Sequence, residues 1–376
     1  MYNGEDETDP MEKAKTRSGY EVGEAIRAFQ VTLGETGPLA VGRCLHYSAD
    51  VICSGALQVW VRYCMEYAID HIGSVAPRIF FYLNKRFKEL STLASGLGTE
   101  ELYHNYEFQI KVGEIVLILR ECPRRTKVAL PKVHISSFDE GWLQDARTVH
   151  TDFYVAKKVS KPENDAPCML IVANEIMRAI EEGATEKALF WMRWLLDSDA
   201  AIRKKLGGTG GLSNFARAPP GWPDKQRTFA GFFLANLAAE AYKDLAIKGK
   251  IRMNEEYQAI LDLYRNPVKT LLSPRRRLDL LCLMFQLLCE VPRWKTPTAP
   301  PLVRDEVVMR KAISHVEHFF REVLSYEPVK TDILKEAKKA KAIIAIKKLN
   351  EKEQKKQSLE AHLRRNDDIV MDLLNK

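Results

Sequence analysis

The sequence predicts an all-α fold: a multi-helix globular bundle of about 11 or 12 helices in two halves, with a long basic helix at the C-terminus. Proline precedes an apolar run with helical spacing at six positions, where its missing N–H costs nothing in the first turn. These positions are Pro38, Pro77, Pro167, Pro223, Pro274 and Pro301. Glycine follows two of the runs, at Gly73 and Gly183, as expected at helix ends. Residues 107–119 alternate briefly like a strand, but the apolar spacing from Leu102 onward favours a helix.

The chain divides into five parts by composition. With 376 residues and 46% apolar content it can fill the cores of two or three domains. The predicted parts are a disordered N-terminal tail (1–20), an N-terminal helical domain (21–135), a linker region (136–164), a second helical domain (165–328) and a basic amphipathic helix (329–376). No apolar run approaches the length of a membrane-spanning helix, so we expect no membrane partner.

The cysteines indicate a reducing compartment. Seven of them form an odd, scattered set without a Cys-x-x-Cys pair, and no Asn-x-Ser/Thr glycosylation acceptor occurs. Secreted proteins of this size more often show paired cysteines. We therefore expect an intracellular protein of the cytoplasm or nucleus, or a component of a virus particle assembled there.

Positive charge is concentrated near the C-terminus. Residues 330–365 contain twelve Lys or Arg and five Asp or Glu, and this excess equals the whole formal net charge of +7. Apolar residues recur at helical spacing, which predicts an amphipathic helix with a cationic face that binds nucleic acid or an acidic protein. The alternative is a solvated surface helix. The candidate binding residues are Lys335, Lys338, Lys339, Lys341, Lys347, Lys348, Lys352, Lys355, Lys356, Arg364 and Arg365.

Two further features suggest contacts with a partner. Trp222 and Trp294 lie in Pro-rich loops with neighbouring Lys or Arg, where an exposed indole stacks on bases or enters a partner. The alternative is that these loops are lids on helical cores. Arg86 and Lys88 follow an aromatic run and give a predicted helix a basic surface that suits nucleic acid.

Catalytic signatures are lacking in the sequence. The glycine cluster at 207–211 has no following Gly-Lys-Ser/Thr and no preceding strand, so we interpret it as a connector or helix end and expect no nucleotide hydrolysis. His315 and His318 share a helix face without a third metal ligand placed by the sequence. We predict no cofactor and no metal, and we favour a non-enzyme while leaving an unrecognised active site open.

Residues 174–196 resemble the helix-turn-helix that opens the helical C-terminal region of MgsA/RarA-type relatives of clamp loaders. The resemblance rests on Gly183 in the turn and on Ala188, Leu189 and Trp191 in the helix that follows. Residues 68–77 are similar to a second motif of that family. Together they cover about a tenth of the chain and include none of the ATPase domain. The resemblance implies a collar-like domain over 165–328 that oligomerises and associates with DNA-maintenance machinery.

Two hypotheses on function follow. The first is a non-catalytic helical interaction protein associated with nucleic acid, as an accessory of replication or recombination and part of a homo- or hetero-oligomer. The second is a structural assembly component, such as a minor shell or scaffold protein of a large DNA virus. The long C-terminal helix suits bridging as well as binding, because about 45 helical residues span roughly 67 Å.

Overall fold

The computed structural model describes residues 10–133, 140–208, 210–251, 255–267, 272, 274–290, 302 and 306–327. Its regular elements are helices, and no strand occurs in these ranges beyond the isolated bridges Lys15↔Glu21 and Asp165↔Ser213. The predicted all-α class is confirmed. None of the described helices combines the length and apolar content needed to cross a lipid bilayer.

The described residues of the first half of the chain form six α-helices. They are α1 (Val22–Gly34), α2 (Pro38–Cys53), α3 (Leu57–Tyr67), α4 (Arg78–Gly96), α5 (Thr99–His104) and α6 (Tyr106–Glu121). A π-helical turn, Ala68–Ile72, continues α3 and ends at Gly73, whose φ of 52° is readily adopted only by glycine. Residues 107–119 lie within α6, which confirms the helix predicted there.

The described residues of the second half form ten more α-helices, some of them a turn or two long. They are α7 (Glu140–Ala146), α8 (Tyr154–Val159), α9 (Pro167–Glu182), α10 (Thr185–Lys205), α11 (Asp224–Arg227), α12 (Ala230–Ile247), α13 (Glu255–Arg265), α14 (Pro274–Cys289), α15 (Glu306–Ile313) and α16 (Val316–Ser325). Proline starts α2, α9 and α14, as the sequence predicted. Gly183 ends α9 in the left-handed conformation and donates its N–H to Ala179 and Ile180 carbonyls.

Two predicted boundaries need correction. Residues 10–20 were assigned to a disordered tail, yet Pro10–Lys13 forms a 3₁₀ turn, and Arg17 donates through Nε to the carbonyl of Cys53 at 3.0 Å. The predicted linker over 136–164 contains α7 and α8, whose Leu143 and Val155 are buried. Buried apolar side chains and hydrogen bonds to distant residues hold both segments on the body, which their polar composition did not reveal.

Buried Glu175 on α9 shows how the predicted linker is held. Its carboxylate accepts hydrogen bonds from the N–H of Thr148 (2.5 Å) and of Val149 (2.8 Å), and from the Thr148 hydroxyl at 2.9 Å. The neighbouring Asn174 accepts from the N–H of Phe153 at 2.9 Å. Charge-assisted bonds to otherwise unpaired backbone groups are among the stronger ones, so this loop is fixed on α9.

The last two described helices pack on the first half of the chain rather than on the second. α16 contacts α2 and α6, and α15 contacts α6. Gly113 on α6 permits this close approach, because a Cβ at that position would collide with Val316 of α16. The sequence assigned residues up to 328 to the second domain, so the packing of α15 and α16 crosses that predicted division.

A polar network also joins the halves. Arg276 of α14 forms ion pairs with Asp70 (2.6 Å) and with Asp279 (3.4 Å), while Lys127 reaches Asp279 at 2.6 Å. Arg125 and Glu290 form a further pair at 2.8 Å. Compensated charges of this kind fix the orientation of packed helices, because leaving one partner alone in a buried site is costly.

Candidate functional site

A cavity of about 360 Å³ opens between α8, α12 and α13 and is bounded by the loop that carries Phe215 and Arg217. Tyr242 of α12 stacks on Tyr257 of α13, with ring centroids 4.1 Å apart and planes 10° apart. This stack holds the two helices beside each other. The cavity therefore has walls on packed helices, the arrangement that fixes side chains most precisely.

Positive charge dominates the cavity. Lys158, Lys161, Lys243 and Arg265 line it together with one carboxylate, that of Glu240. Glu240 accepts from Lys158 at 2.5 Å and from Lys243 at 2.7 Å. Burial pushes the pKa of Glu240 up, but the two ammonium groups outweigh burial and hold the pKa below its ordinary value. The carboxylate is thus ionised at neutral pH, and four cations face one anion.

Arg265 lies at the end of α13 with its guanidinium in the cavity wall. Its side-chain hydrogen bond is to Asn236 Oδ1 at 2.8 Å, and in the part of the chain that the structure describes no carboxylate forms an ion pair with it. Burial lowers the pKa of Arg265, against the weaker opposing effects of Asp262 and Glu240. Arg265 is accordingly a half-buried cation that forms no ion pair with any described residue.

Arg217, which also borders the cavity, has a different role. Its guanidinium pairs with Asp165 Oδ2 at 2.5 Å and donates to Ser213 Oγ at 2.7 Å, and both charged side chains are almost fully buried. It also lies over the rings of Phe215 and Phe233, at 5.0 and 5.2 Å. The charge of Arg217 is compensated by that of Asp165, so the pair borders the cavity without adding net charge to it.

The structure corrects the hypothesis that Trp222 is exposed for a partner. Its side chain is 7% exposed, its ring packs edge-on against Phe232, and the guanidinium of Arg277 lies 4.5 Å from its centroid. The indole N–H donates to the carbonyl of Arg265 at 2.9 Å. A buried indole that satisfies its donor internally has no face for a base, so the alternative, a lid on a helical core, describes Trp222.

Arg86 and Lys88 lie on α4 in different environments. Arg86 pairs with Glu89 at 2.8 Å and with Glu114 at 2.9 Å, and its guanidinium lies over the ring of Tyr82. Lys88 is exposed to solvent. The charge of Arg86 is therefore largely compensated, whereas Lys88 remains accessible; nucleic-acid binding by either residue stays a prediction.

The other predicted binding residues lie outside the described residues. They are Trp294 and the eleven Lys and Arg residues from Lys335 to Arg365. For those positions the sequence-based prediction stands alone.

The glycine cluster ends a helix in the structure. The N–H of Gly207 bonds to the Lys204 carbonyl, and that of Gly208 bonds to the Arg203 carbonyl at 2.8 Å. Both amides are used at the C-terminus of α10, where the helix dipole disfavours an anion. This geometry fits the connector interpretation rather than a phosphate cradle. Groups of three or more potential metal ligands do not occur among the described residues.

Sequence reasoning missed the cation-lined cavity. Its charged residues are spread from Lys158 to Arg265 along the chain, and two of them, Lys158 and Lys161, fall in the predicted linker region. No motif or spacing connects them. Packing of α8 beside α12 and α13 brings them together, and a sequence pattern carries little information on such long-range contacts.

Comparisons with models of known protein families, with curated proteins and with solved structures gave no match. In the structure, residues 174–196 form the end of α9, the turn at Gly183 and the first half of α10. Their resemblance to clamp-loader collar regions stays a prediction.

Proposed function

We propose that this protein is a non-catalytic helical interaction protein that binds nucleic acid through its basic segment at 330–365. The observation that carries the proposal is the excess of seven positive charges in that segment, which equals the net charge of the whole chain. Lysine and arginine neutralise phosphates and release counterions, and this sequence-independent effect supplies most non-specific affinity for nucleic acid.

The charge distribution of the described residues supports binding by the C-terminal segment rather than by the folded body. Arg86 on α4 is paired with two carboxylates, and the positive charge of Arg276 is likewise compensated by neighbouring carboxylates. Compensated cations attract phosphate weakly. The body thus acts as a helical scaffold, and the unbalanced segment at the C-terminus makes the main electrostatic contact.

The proposal extends to partners and compartment. The helix–Gly–helix of α9 and α10 underlies the proposed collar-like role, in which the protein works in an oligomer as an accessory of DNA replication or recombination. A reducing intracellular compartment is part of the same proposal. It is supported by the odd number and scatter of the cysteines, six of which are buried as thiols.

The test is a salt titration of binding to a duplex DNA of random sequence, with the full chain and with residues 330–376 removed. If about half of the twelve cations engage phosphates, log K falls against log salt with a slope of about −5 for the full chain. We expect the truncated protein to lose most of its affinity and slope. Unchanged values after truncation would refute the proposal.

A shorter deletion is the matched control. Residues 366–376 contain three Asp and one Lys, so their removal takes away no excess of positive charge. Affinity and slope should stay at the level of the full chain. Loss of binding in this control would show that the end of the chain acts by something other than its positive charge.

A further inference from the structure

We propose that the cavity between α8, α12 and α13 binds the phosphate group of a small organic phosphate ester, with Arg265 as the anchoring cation. The inference concerns the folded body and is independent of nucleic-acid binding by the C-terminal segment.

The first support is the charge balance of the lining. Lys158 and Lys243 share the single carboxylate of Glu240, which compensates one of their two charges. Lys161 and Arg265 form no ion pair within the residues that the structure describes. The walls therefore carry three uncompensated positive charges around one opening. A phosphate monoester, with its charge near −2 at neutral pH, matches this excess better than a singly charged carboxylate.

The second support is the contrast between Arg265 and other arginines of the body. Arg217 pairs with Asp165, and Arg276 pairs with Asp70. Arg265 is half-buried, and among the described residues its side chain bonds only to a neutral amide, that of Asn236. Burial without a counter-ion disfavours the charged form, and a bound anion would remove that penalty. The planar fork of an arginine suits phosphate oxygens in particular.

The third support is size and wall chemistry. A volume of about 360 Å³ lies at the low end of ligand cavities, about 300–1,000 Å³, and exceeds what inorganic phosphate needs. Leu261 and Tyr242 supply apolar wall, and the ring of Phe215 is 39% exposed at the border of the cavity. The remaining space suits an organic group attached to the phosphate.

The cavity beside the glycine cluster is one competing site, and its geometry is less suitable. It measures about 460 Å³ but lies at the C-terminal end of α10, where backbone carbonyls point outward. Arg203 there is already bonded to Asp199 (2.9 Å) and to the Thr228 carbonyl (2.8 Å). Of these two cavities, only the one at Arg265 combines an uncompensated arginine with an excess of cations.

Isothermal titration calorimetry on the full chain tests the proposal with adenosine monophosphate, glucose 6-phosphate, inorganic phosphate and adenosine. We expect both esters to bind, inorganic phosphate to bind more weakly, and adenosine to give no heat of binding. Whichever ester binds more tightly identifies the source of the phosphate as a nucleotide or a sugar phosphate. Absence of binding by both esters would overturn the proposal.

Two substitutions with opposite expected effects separate ligand binding from damage to the fold. Arg265→Gln retains an amide donor for Asn236 and should weaken ester binding at least tenfold, which corresponds to ~1.4 kcal/mol. Glu240→Gln removes the competing anion and should tighten binding several-fold. A loss of packing would weaken binding in both variants, and that result contradicts the proposal.

Two further variants complete the experiment. Arg178→Gln on α9 removes an arginine that pairs with Glu182 away from the cavity and should leave ester binding unchanged. Lys161→Gln changes an exposed side chain and should weaken binding several-fold even if Arg265→Gln fails to fold. Equal affinities for the unmodified protein and for Lys161→Gln and Arg265→Gln would overturn the assignment of the cavity.

Discussion

The indole N–H of Trp222 donates to the backbone carbonyl of Arg265 at 2.9 Å, across 43 residues of sequence. This bond satisfies a carbonyl at the end of α13, where helix carbonyls lack intrahelical partners. Arg277 donates to the adjacent carbonyl of Tyr264 at 2.7 Å and lies over the Trp222 ring. Together these contacts fix the backbone from which the Arg265 side chain enters the cavity.

Trp222→Phe should destabilise the protein by ~1–2 kcal/mol. The variant keeps an aromatic ring beneath Arg277 but leaves the Arg265 carbonyl without its donor, and a lost hydrogen bond of this kind costs about 0.5–1.5 kcal/mol before the smaller ring is considered. Urea denaturation followed by circular dichroism gives the free energy of unfolding. Trp142→Phe is the control, since it removes the same volume from a half-buried indole that donates no hydrogen bond in the described structure. An equal loss in both variants would show that the hydrogen bond contributes nothing.

Asp165→Asn should cost about 3–5 kcal/mol, because it leaves the buried Arg217 without a counter-charge. Asp165 also accepts from Ser213 Oγ at 2.6 Å and from the Lys161 N–H at 2.7 Å, so the site has no room to reorganise around a neutral amide. Thermal melting measures the effect.

The control for Asp165→Asn is Glu182→Gln, which breaks the partly exposed Arg178 pair on α9 and should lower the melting midpoint far less. Comparable shifts in the melting midpoint for the two variants would contradict the assigned role of the buried pair.

Trp191→Ala should destabilise the protein by about 3–5 kcal/mol as a large-to-small change in the core. Trp191 is 6% exposed, and its ring lies 6.0 Å from that of Trp142 and 6.3 Å from that of Trp194. Chemical denaturation is again the measurement. Tyr154→Ala, at a side chain that is 74% exposed, should change the free energy of unfolding by less than about 0.5 kcal/mol. An unchanged midpoint for Trp191→Ala would show that the contacts of Trp191 with Trp142 and Trp194 do not stabilise the fold.

One cysteine should react rapidly with a disulfide reagent in the native protein, and six should react slowly. Cys168 is half-buried, and the other six are buried. Burial raises the pKa of Cys53, Cys122 and Cys289 to about 12, so these groups remain thiols at pH 8, whereas only a thiolate attacks the disulfide reagent. Cys168→Ser should abolish the fast phase.

The pH dependence of that reaction follows from the same pKa values. A raised pKa moves deprotonation to higher pH, so an increase from pH 7 to 9 still leaves the three buried groups protonated. Their slow phase should change little over this range, while the fast phase accelerates. Two or more thiols in the fast phase would show that the buried cysteines open more readily than their packing indicates.

Much of the local structure followed from the sequence. Proline at the first turn of α2, α9 and α14, glycine at the end of α9 and the apolar period of α6 are local signals, and each acts within a few residues of its position. In contrast, the predictions of a linker at 136–164 and of a disordered tail at 1–20 were partly wrong. The reason is that Arg17 and Thr148 bond to residues far away in the chain.

The sequence by itself determined the all-α class, several helix starts and stops, and the concentration of positive charge at 330–365, because composition and short-range periodicity encode these properties. Only the tertiary structure decided that Trp222 is buried against the end of α13 and that Lys158, Lys161, Lys243 and Arg265 share one cavity. The physical reason is that burial and charge compensation depend on which helices pack together. Asp165 compensates Arg217 only because a loop folds back 52 residues along the chain, and Arg265 forms no ion pair in the described structure because the packing of the helices brings no carboxylate within ion-pair distance of it.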